Sequence, residues 1–181
     1  GGTKQYPTVD SLKNIKLRAA GGVNTRIAKA WGASPVTMAT GEIYPALQMG
    51  TVDALLFYAY GLKDYKFFEV AKSFTGPAVY IWTDDLWINA DAWAKLPKHL
   101  QDKLKKVARE WARWASVEYW PAYDKEIEEW GKSKGVKFLE FDADNVAKSK
   151  KMLEEVWDWY ASESPDCKKL VQLYKAEQKK W

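Results

Sequence analysis

The chain has 181 residues, 47% of them hydrophobic, which suffices for one sizeable core or two small lobes, and it contains no apolar run of the ~18 residues that a membrane-crossing helix requires. Its 28 Lys and Arg against 24 Asp and Glu leave a net charge of +4, with the signs interspersed rather than clustered, so a phosphate-tracking nucleic-acid face is not expected. One cysteine, Cys167, excludes an internal disulfide, and with one histidine, His99, it excludes a Cys/His zinc site. The first residues, G-G-T-K-Q-Y, show neither a charged n-region nor an apolar h-region, so no signal peptide lies within this stretch.

In chain order, Thr8 or Asp10 caps a short turn in which Leu12 packs. Ile15, Leu17 and Ala19 alternate with Lys16, Arg18 and Ala20, which predicts a strand with Arg18 on the face opposite its apolar neighbours. Gly21-Gly22 breaks that strand, and Asn24 or Thr25 caps a helix carrying Ile27, Ala30 and Trp31 that stops at Gly32. Ser34 to Met38 reads as a second strand. Thr40 or Gly41 then caps a helix whose apolar face is Ile43, Ala46 and Leu47, with Pro45 in its first turn and Gly50 at its end. Val52 to Tyr58 is a third strand, which completes a β-α-β-α-β weave and predicts a parallel α/β unit.

After a connection with a short helix between Asp64 and Val70, the run Ala78 to Ile88 predicts a long strand interrupted by Asp84-Asp85, able to cross between lobes. Asn89 caps a short helix through Trp93 that ends at Leu96-Pro97. From Lys98 to about Lys134 the apolar residues Leu100, Leu104, Val107, Trp111, Trp114 and Val117 recur at spacings of 4, 3, 4, 3 and 3, one stripe of a long helix that Pro121 should kink or split. Gly135 closes it, Val136 to Phe141 is a last strand, and Asp142 or Asp144 caps a helix that carries Val146 to Tyr160. Ser164-Pro165 opens a terminal helix with Leu170, Leu173 and Tyr174.

No nucleophile elbow, phosphate loop, dinucleotide fingerprint or H-E-x-x-H is present. Cys167 and His99 both fall in lysine-rich helical sequence and read as ordinary helix residues. Among the paired carboxylates only Asp84-Asp85 is out of place, and adjacent strand residues point to opposite faces, a poor general acid/base couple. Arg18 is the stronger candidate. It stands at the carboxyl end of the first strand, where α/β sheets bind ligands, and a guanidinium there can hold a carboxylate bidentately. Phe57, Tyr58 and Tyr60, at the end of the third strand, would face the same crevice.

Three blocks in order, L-K-N-I-K-L-R-A-A-G-G, G-A-S-P-V-T-M-A-T-G-E-I-Y-P-A-L-Q-M-G-T-V-D-A and W-I-N-A-D-A-W-A-K-L-P, resemble the substrate-binding proteins of TRAP transporters, the DctP family, from Val9 to the final helices. The resemblance implies a bilobed α/β receptor in the periplasm that closes on an organic acid and delivers it to membrane-embedded TRAP permease subunits, with no catalysis and no cofactor. Family members are longer at the N-terminus. The expected fold is therefore a periplasmic-binding-protein-like lobe with a parallel-rich sheet, flanking helices and a long kinked helix: residues 1–77 the α/β unit of the second lobe carrying the carboxylate arginine, 78–97 a hinge-crossing strand and short helix, and 98–181 the long helix, final strand and C-terminal helices. Most of the first lobe would be missing, and that lobe or a second copy would cover an open face.

By the same resemblance Arg18 matches the arginine that grips the substrate carboxylate, and Thr40 and Gly41 match the turn where some members place a substrate-stacking aromatic, absent here. Phe57 falls where sialic-acid and dicarboxylate binders have an asparagine. R-x-x-G-G, Ile43 to Leu47 and Phe57 look more like the binders of 2-oxoacids and related monocarboxylates. Some of those hold a cation through an acidic residue before the aromatic; here that position is Leu56, so no metal is expected. The expected function is reception of a small organic monocarboxylate. The alternatives are a C4-dicarboxylate receptor, a small α/β enzyme using Asp84 or Asp85, and an interaction domain whose aromatic stripes bind partner helices.

Overall fold

A computed structural model describes residues 1–77 and 86–178. Its central strand, β1 (Lys16–Ala19), is flanked by β2 (Ser34–Thr37) and β3 (Ala54–Leu55), both parallel to it, in the order β2-β1-β3. Arg18 pairs with Val36 on one side and Leu55 on the other. Helix α1 (Gly22–Ala30) connects β1 to β2, and α2 (Ile43–Gln48) connects β2 to β3, so the predicted α/β weave is present. Because β1 is central, both of its faces are covered. Leu17 and Ala54 belong to one core, with Val9, Ile27 and Trp31; Leu55 belongs to the other, with Ile43, Leu47, Phe67 and Ile127.

Several boundaries differ from the sequence expectation for local reasons. Thr8, not Asp10, caps the first 3-10 turn (Val9–Leu12), its hydroxyl oxygen accepting from the Ser11 N–H at 3.2 Å. Asn24 and Thr25 do not cap α1: Gly21, at φ +92°, turns the chain straight from β1 into the helix, a conformation a side chain would strain, and Asn24 is buried in the first turn. Thr40 opens a 3-10 turn (Thr40–Glu42) rather than α2 itself, and there the Glu42 carboxylate accepts from the Ala39 N–H at 2.8 Å. The third strand is shorter than Val52 to Tyr58. The Val52 N–H is still bonded to the Ala46 carbonyl at the end of α2, and beyond the Leu56 N–H, which reaches the Arg18 carbonyl at 2.9 Å, the chain turns through Tyr58 to Tyr60 into α3 (Gly61–Asp64).

A second sheet was not foreseen. After a 3-10 turn (Phe67–Glu69), β4 (Ser73–Gly76) pairs in parallel with β5 (Lys137–Glu140), the last expected strand. The sequence S-F-T-G carries a single aromatic and ends in Gly-Pro, too weak a strand signal to read alone. Gly2 joins the two sheets, bridging Ala54 on one side and Ser73 on the other. The expected crossing strand and Asp84-Asp85 fall outside the described residues, except that Leu86 to Asn89 are described and form no strand.

Asn89 caps α4 (Ala90–Lys95) as expected, its side-chain oxygen accepting from the Ala92 N–H at 3.0 Å. The long helix is present but Pro121 is accommodated differently. α5 (Lys98–Trp114) passes through a π-helical turn (Ala115–Tyr119) into α6 (Trp120–Ser133), so the wider turn sits just ahead of the proline and relieves the crowding its ring would cause in a regular helix. None of the α5 residues is buried. Asp142 caps α7 (Ala143–Met152), which ends at Leu153; the single helix expected through Tyr160 is thus two, with α8 (Glu154–Glu163) the second. The terminal α9 (Pro165–Gln178) packs on α8. α8 also seats on α1, where Arg26 stacks 3.8 Å from the Trp159 ring centroid, while α7 supplies the Ser149 hydroxyl that accepts from the buried Trp31 Nε1 at 3.0 Å. Among the described residues no helix is long and apolar enough to cross a membrane.

Candidate functional site

Arg18 is the one charged side chain buried among the described residues, at 4% exposure. It lies next to last in β1, so its side chain emerges at the carboxyl edge of the parallel sheet, between the chain leaving β2 and the chain leaving β3. The expectation that Arg18 takes the opposite face from Leu17 is met, but that face is not solvated. One guanidinium nitrogen, Nη2, donates to the Met38 carbonyl at 3.1 Å, and the guanidinium carbon lies 5.6 Å from the Phe57 ring centroid. A charge this deep is sustained by hydrogen bonding and by the ring face beside it.

Phe57 is in turn fixed edge-on by four rings, Tyr58, Tyr60, Tyr65 and Phe67, at centroid distances of 5.4 to 5.8 Å. Tyr58 and Tyr60 stack on each other at 5.4 Å, and Tyr60 reaches Trp120 at the start of α6, 6.1 Å away. The resulting aromatic cluster ties the sheet edge to the long helix just past its π-turn. Close backbone approach makes this possible: Gly61 sits under the Phe57 ring, where a Cβ would come within 2.6 Å of a ring carbon.

Of the six residues singled out from sequence, Arg18 and Phe57 are brought into contact, and Phe57, Tyr58 and Tyr60 form one ring cluster, the two tyrosines stacked on each other and Phe57 edge-on to both. Phe57 and Tyr58 also line a cavity of about 260 Å³, walled by Trp31, Phe74 to Pro77, Asp124 and Phe141; Arg18, Thr40, Gly41 and Tyr60 do not line it. Thr40 and Gly41 lie in the 3-10 turn after β2, Gly41 exposed and Thr40 half-buried. The sequence reading missed the Met38 carbonyl, Trp120 and Asp124. A backbone acceptor leaves no trace in residue type, and the other two come from a helix distant in sequence. Partial burial on the apolar wall raises the Asp124 carboxyl above its ordinary range. Among the described residues no group of three or more His, Cys, Asp or Glu side chains stands close enough to hold a metal ion. Chemically, the edge offers a buried guanidinium fork suited to a carboxylate, with aromatic surface beside it.

Residues 1–164 match the model of a family described as bacterial extracellular solute-binding protein, family 7. A solute-binding protein of Albidiferax ferrireducens is 26% identical over 168 residues, which are 91% of this chain and 49% of that protein. A sialic acid-binding periplasmic protein of Vibrio cholerae is 30% identical over 103 residues, 56% of this chain and 32% of that protein. Among solved structures, a TRAP periplasmic solute binding protein of Rhodoferax ferrireducens with bound malonate superimposes with a TM-score of 0.85 at 24% identity, covering 96% of this chain and 56% of that one. One from Pseudomonas putida with bound D-glucuronate gives 0.76 at 28% identity, covering 94% and 55%. The mixed α/β architecture with parallel sheets is that of these receptors. The chain spans about half the length of the Albidiferax relative.

Proposed function

The chain belongs to the bacterial extracellular solute-binding proteins of family 7, and from that premise we propose that it is the acid-gripping part of a periplasmic receptor that binds a small organic monocarboxylate and passes it to TRAP permease subunits in the membrane. The observation that carries the reading is Arg18: the one buried charge among the described residues, at the sheet's carboxyl edge and against an aromatic ring. A single buried cation suits a single carboxylate. The Phe57, Tyr58 and Tyr60 rings suit an apolar body on the acid, and Thr40 and Gly41 form the turn bordering the crevice on the β2 side. The relatives named above hold malonate, a dicarboxylate, and D-glucuronate, a sugar acid with one carboxylate, so each ligand carries a carboxylate, while malonate differs from the proposed ligand class in charge.

Function is binding without chemistry. Arg18 fixes the carboxylate, the aromatic group sets the apolar side, and closure of a first lobe over this edge excludes water. In this arrangement the described residues up to 77 and from 98 to 178 build the second lobe and its bracing helices. Calorimetry on the complete receptor against mono- and dicarboxylates tests the reading. Replacing Arg18 by Ala is expected to weaken monocarboxylate binding by about 1.5 to 3 kcal/mol, the worth of hydrogen bonds to a charged group. Unchanged affinity, or turnover of the acid, overturns it.

A further inference from the structure

Asn24 is buried, at 7% exposure, yet its side-chain amide makes no hydrogen bond among the described residues. The two buried serines behave otherwise: the Ser73 hydroxyl donates to the Lys4 carbonyl, and the Ser149 hydroxyl accepts from Trp31 Nε1 at 3.0 Å. A buried amide without a partner is uncommon and costs stability, so it calls for a partner from outside the fold. Neither of its amide atoms is sealed from solvent.

The position of the amide follows from the helix. Asn24, Ile27, Ala28 and Trp31 recur at i, i+3, i+4 and i+7 and form the buried stripe of α1, the last three lying in the core on the Leu17 side of the sheet. Asn24 opens that stripe in the turn where the chain leaves β1 through Gly21. Helical side chains tilt toward the N-terminus, so the amide is directed to the carboxyl edge of the sheet, the edge at which Arg18 emerges. No side chain caps this first turn and no acidic residue lies in it, which leaves its N–H groups as further donors at the same edge. A Cβ at Gly22 would meet nothing within 4 Å, so a small ligand can approach the turn.

Resting on the reading of Arg18 as the carboxylate grip, we propose that Asn24 is a specificity-determining residue of the same site, and that its amide holds a hydroxyl group carried near the carboxylate of the acid. The chemistry selects that group. A primary amide is neutral and both donates and accepts, and a hydroxyl is the neutral group that uses both: it donates to Asn24 Oδ1 while its oxygen accepts from Nδ2 or from a first-turn N–H. A second carboxylate would be matched by a second cation instead, and a plain hydrocarbon chain would leave the amide unpaired on binding. The ligand is thus a hydroxy-substituted monocarboxylate, its charge read by Arg18 and its hydroxyl by Asn24.

Calorimetry on the complete receptor with butyrate, 2-hydroxybutyrate and 3-hydroxybutyrate, and with phenylacetate and mandelate, is the test. Wild type is expected to bind a hydroxy acid at least about tenfold more tightly than its unsubstituted counterpart; Asn24→Ala and Asn24→Leu should erase that preference and change the unsubstituted acid by less than about threefold. Because the amide has no partner in the fold, at least one of the two variants should melt no lower than wild type without ligand. A lower melting temperature in both means that the amide is bonded within the receptor and overturns the proposal. So do a wild type indifferent to the hydroxyl, a preference that survives in the variants, and an equal loss for both kinds of acid. Arg18→Ala separates the two readings: if it leaves every affinity unchanged, the carboxylate grip itself fails, whereas an effective Arg18 with an inert Asn24 removes only the role of Asn24. Binding by none of the five acids overturns both.

Discussion

At the level of single residues the site turns on how Phe57 is held against Arg18. Gly61 is small because the Phe57 ring occupies the place of its Cβ, with ring carbons 2.6 and 2.8 Å from where that atom would be. Gly61→Ala must therefore push the ring aside, and overpacking of this kind costs about 1 to 3 kcal/mol. Urea unfolding should register the loss, and acid affinity should fall with it because the ring moves away from the guanidinium. Wild-type stability in that variant would show the ring to be free to yield. Arg18 was legible in the sequence because it stands just before Gly21-Gly22 at the carboxyl end of the first strand, where α/β sheets bind ligands. Its burial was not, since the groups that close on it, the Met38 carbonyl and the Phe57 ring, come from the chain beyond β2 and beyond β3.

Between elements, two devices stand out. The first 3-10 turn is tied to α7 through Asp10, whose carboxylate meets the Lys13 ammonium at 2.7 Å and the Lys148 ammonium at 2.5 Å. These hydrogen bonds, Lys13 first and Lys148 second, hold its pKa down at about 2 against an ordinary value of 3.8. A depressed carboxyl stabilises the fold above its unfolded pKa, and that contribution is lost as pH falls from 3.8 toward about 2. Asp10→Asn should flatten the stability profile in this acid window and leave the rest of the curve parallel to wild type; a steep fall persisting in the variant would assign the loss to other carboxylates.

The second device is the π-turn at Ala115–Tyr119. Proline inside a regular helix costs about 3 kcal/mol, but here the turn has already widened ahead of Pro121. Pro121→Ala is therefore expected to change stability by less than about 1 kcal/mol, comparable to ordinary proline effects on the unfolded chain. A gain near 3 kcal/mol in thermal or denaturant unfolding would mean that the ring still clashes. The stripe and the proline were both plain in the sequence. The way the helix absorbs the proline was not, because kinking, splitting and a π-turn all satisfy the same missing N–H.

Over the whole molecule, burial divides the helices into those that hold the fold and those that face outward. Ile127 on α6 is fully buried against the second core, so Ile127→Ala should cost about 2 to 5 kcal/mol in equilibrium unfolding. Val107→Ala, on the exposed α5 stripe, should stay within about 0.5 kcal/mol in the same measurement. Comparable losses at both positions would mean that α5 is packed into the protomer. The sequence by itself determined the α/β weave, the arginine at the strand end, the Asn89 cap and the apolar stripe, because each is written in residues a few positions apart: alternation, periodicity and local hydrogen bonding. Only the tertiary structure decided that β4 exists and pairs with β5, that Gly2 stitches the two sheets, that Met38 and Phe57 bracket the guanidinium, and that the most regular apolar face in the chain is left uncovered by the described residues. Those outcomes rest on segments up to about seventy residues apart meeting in space, and hydrophobic periodicity shows which face seeks cover without naming what will cover it.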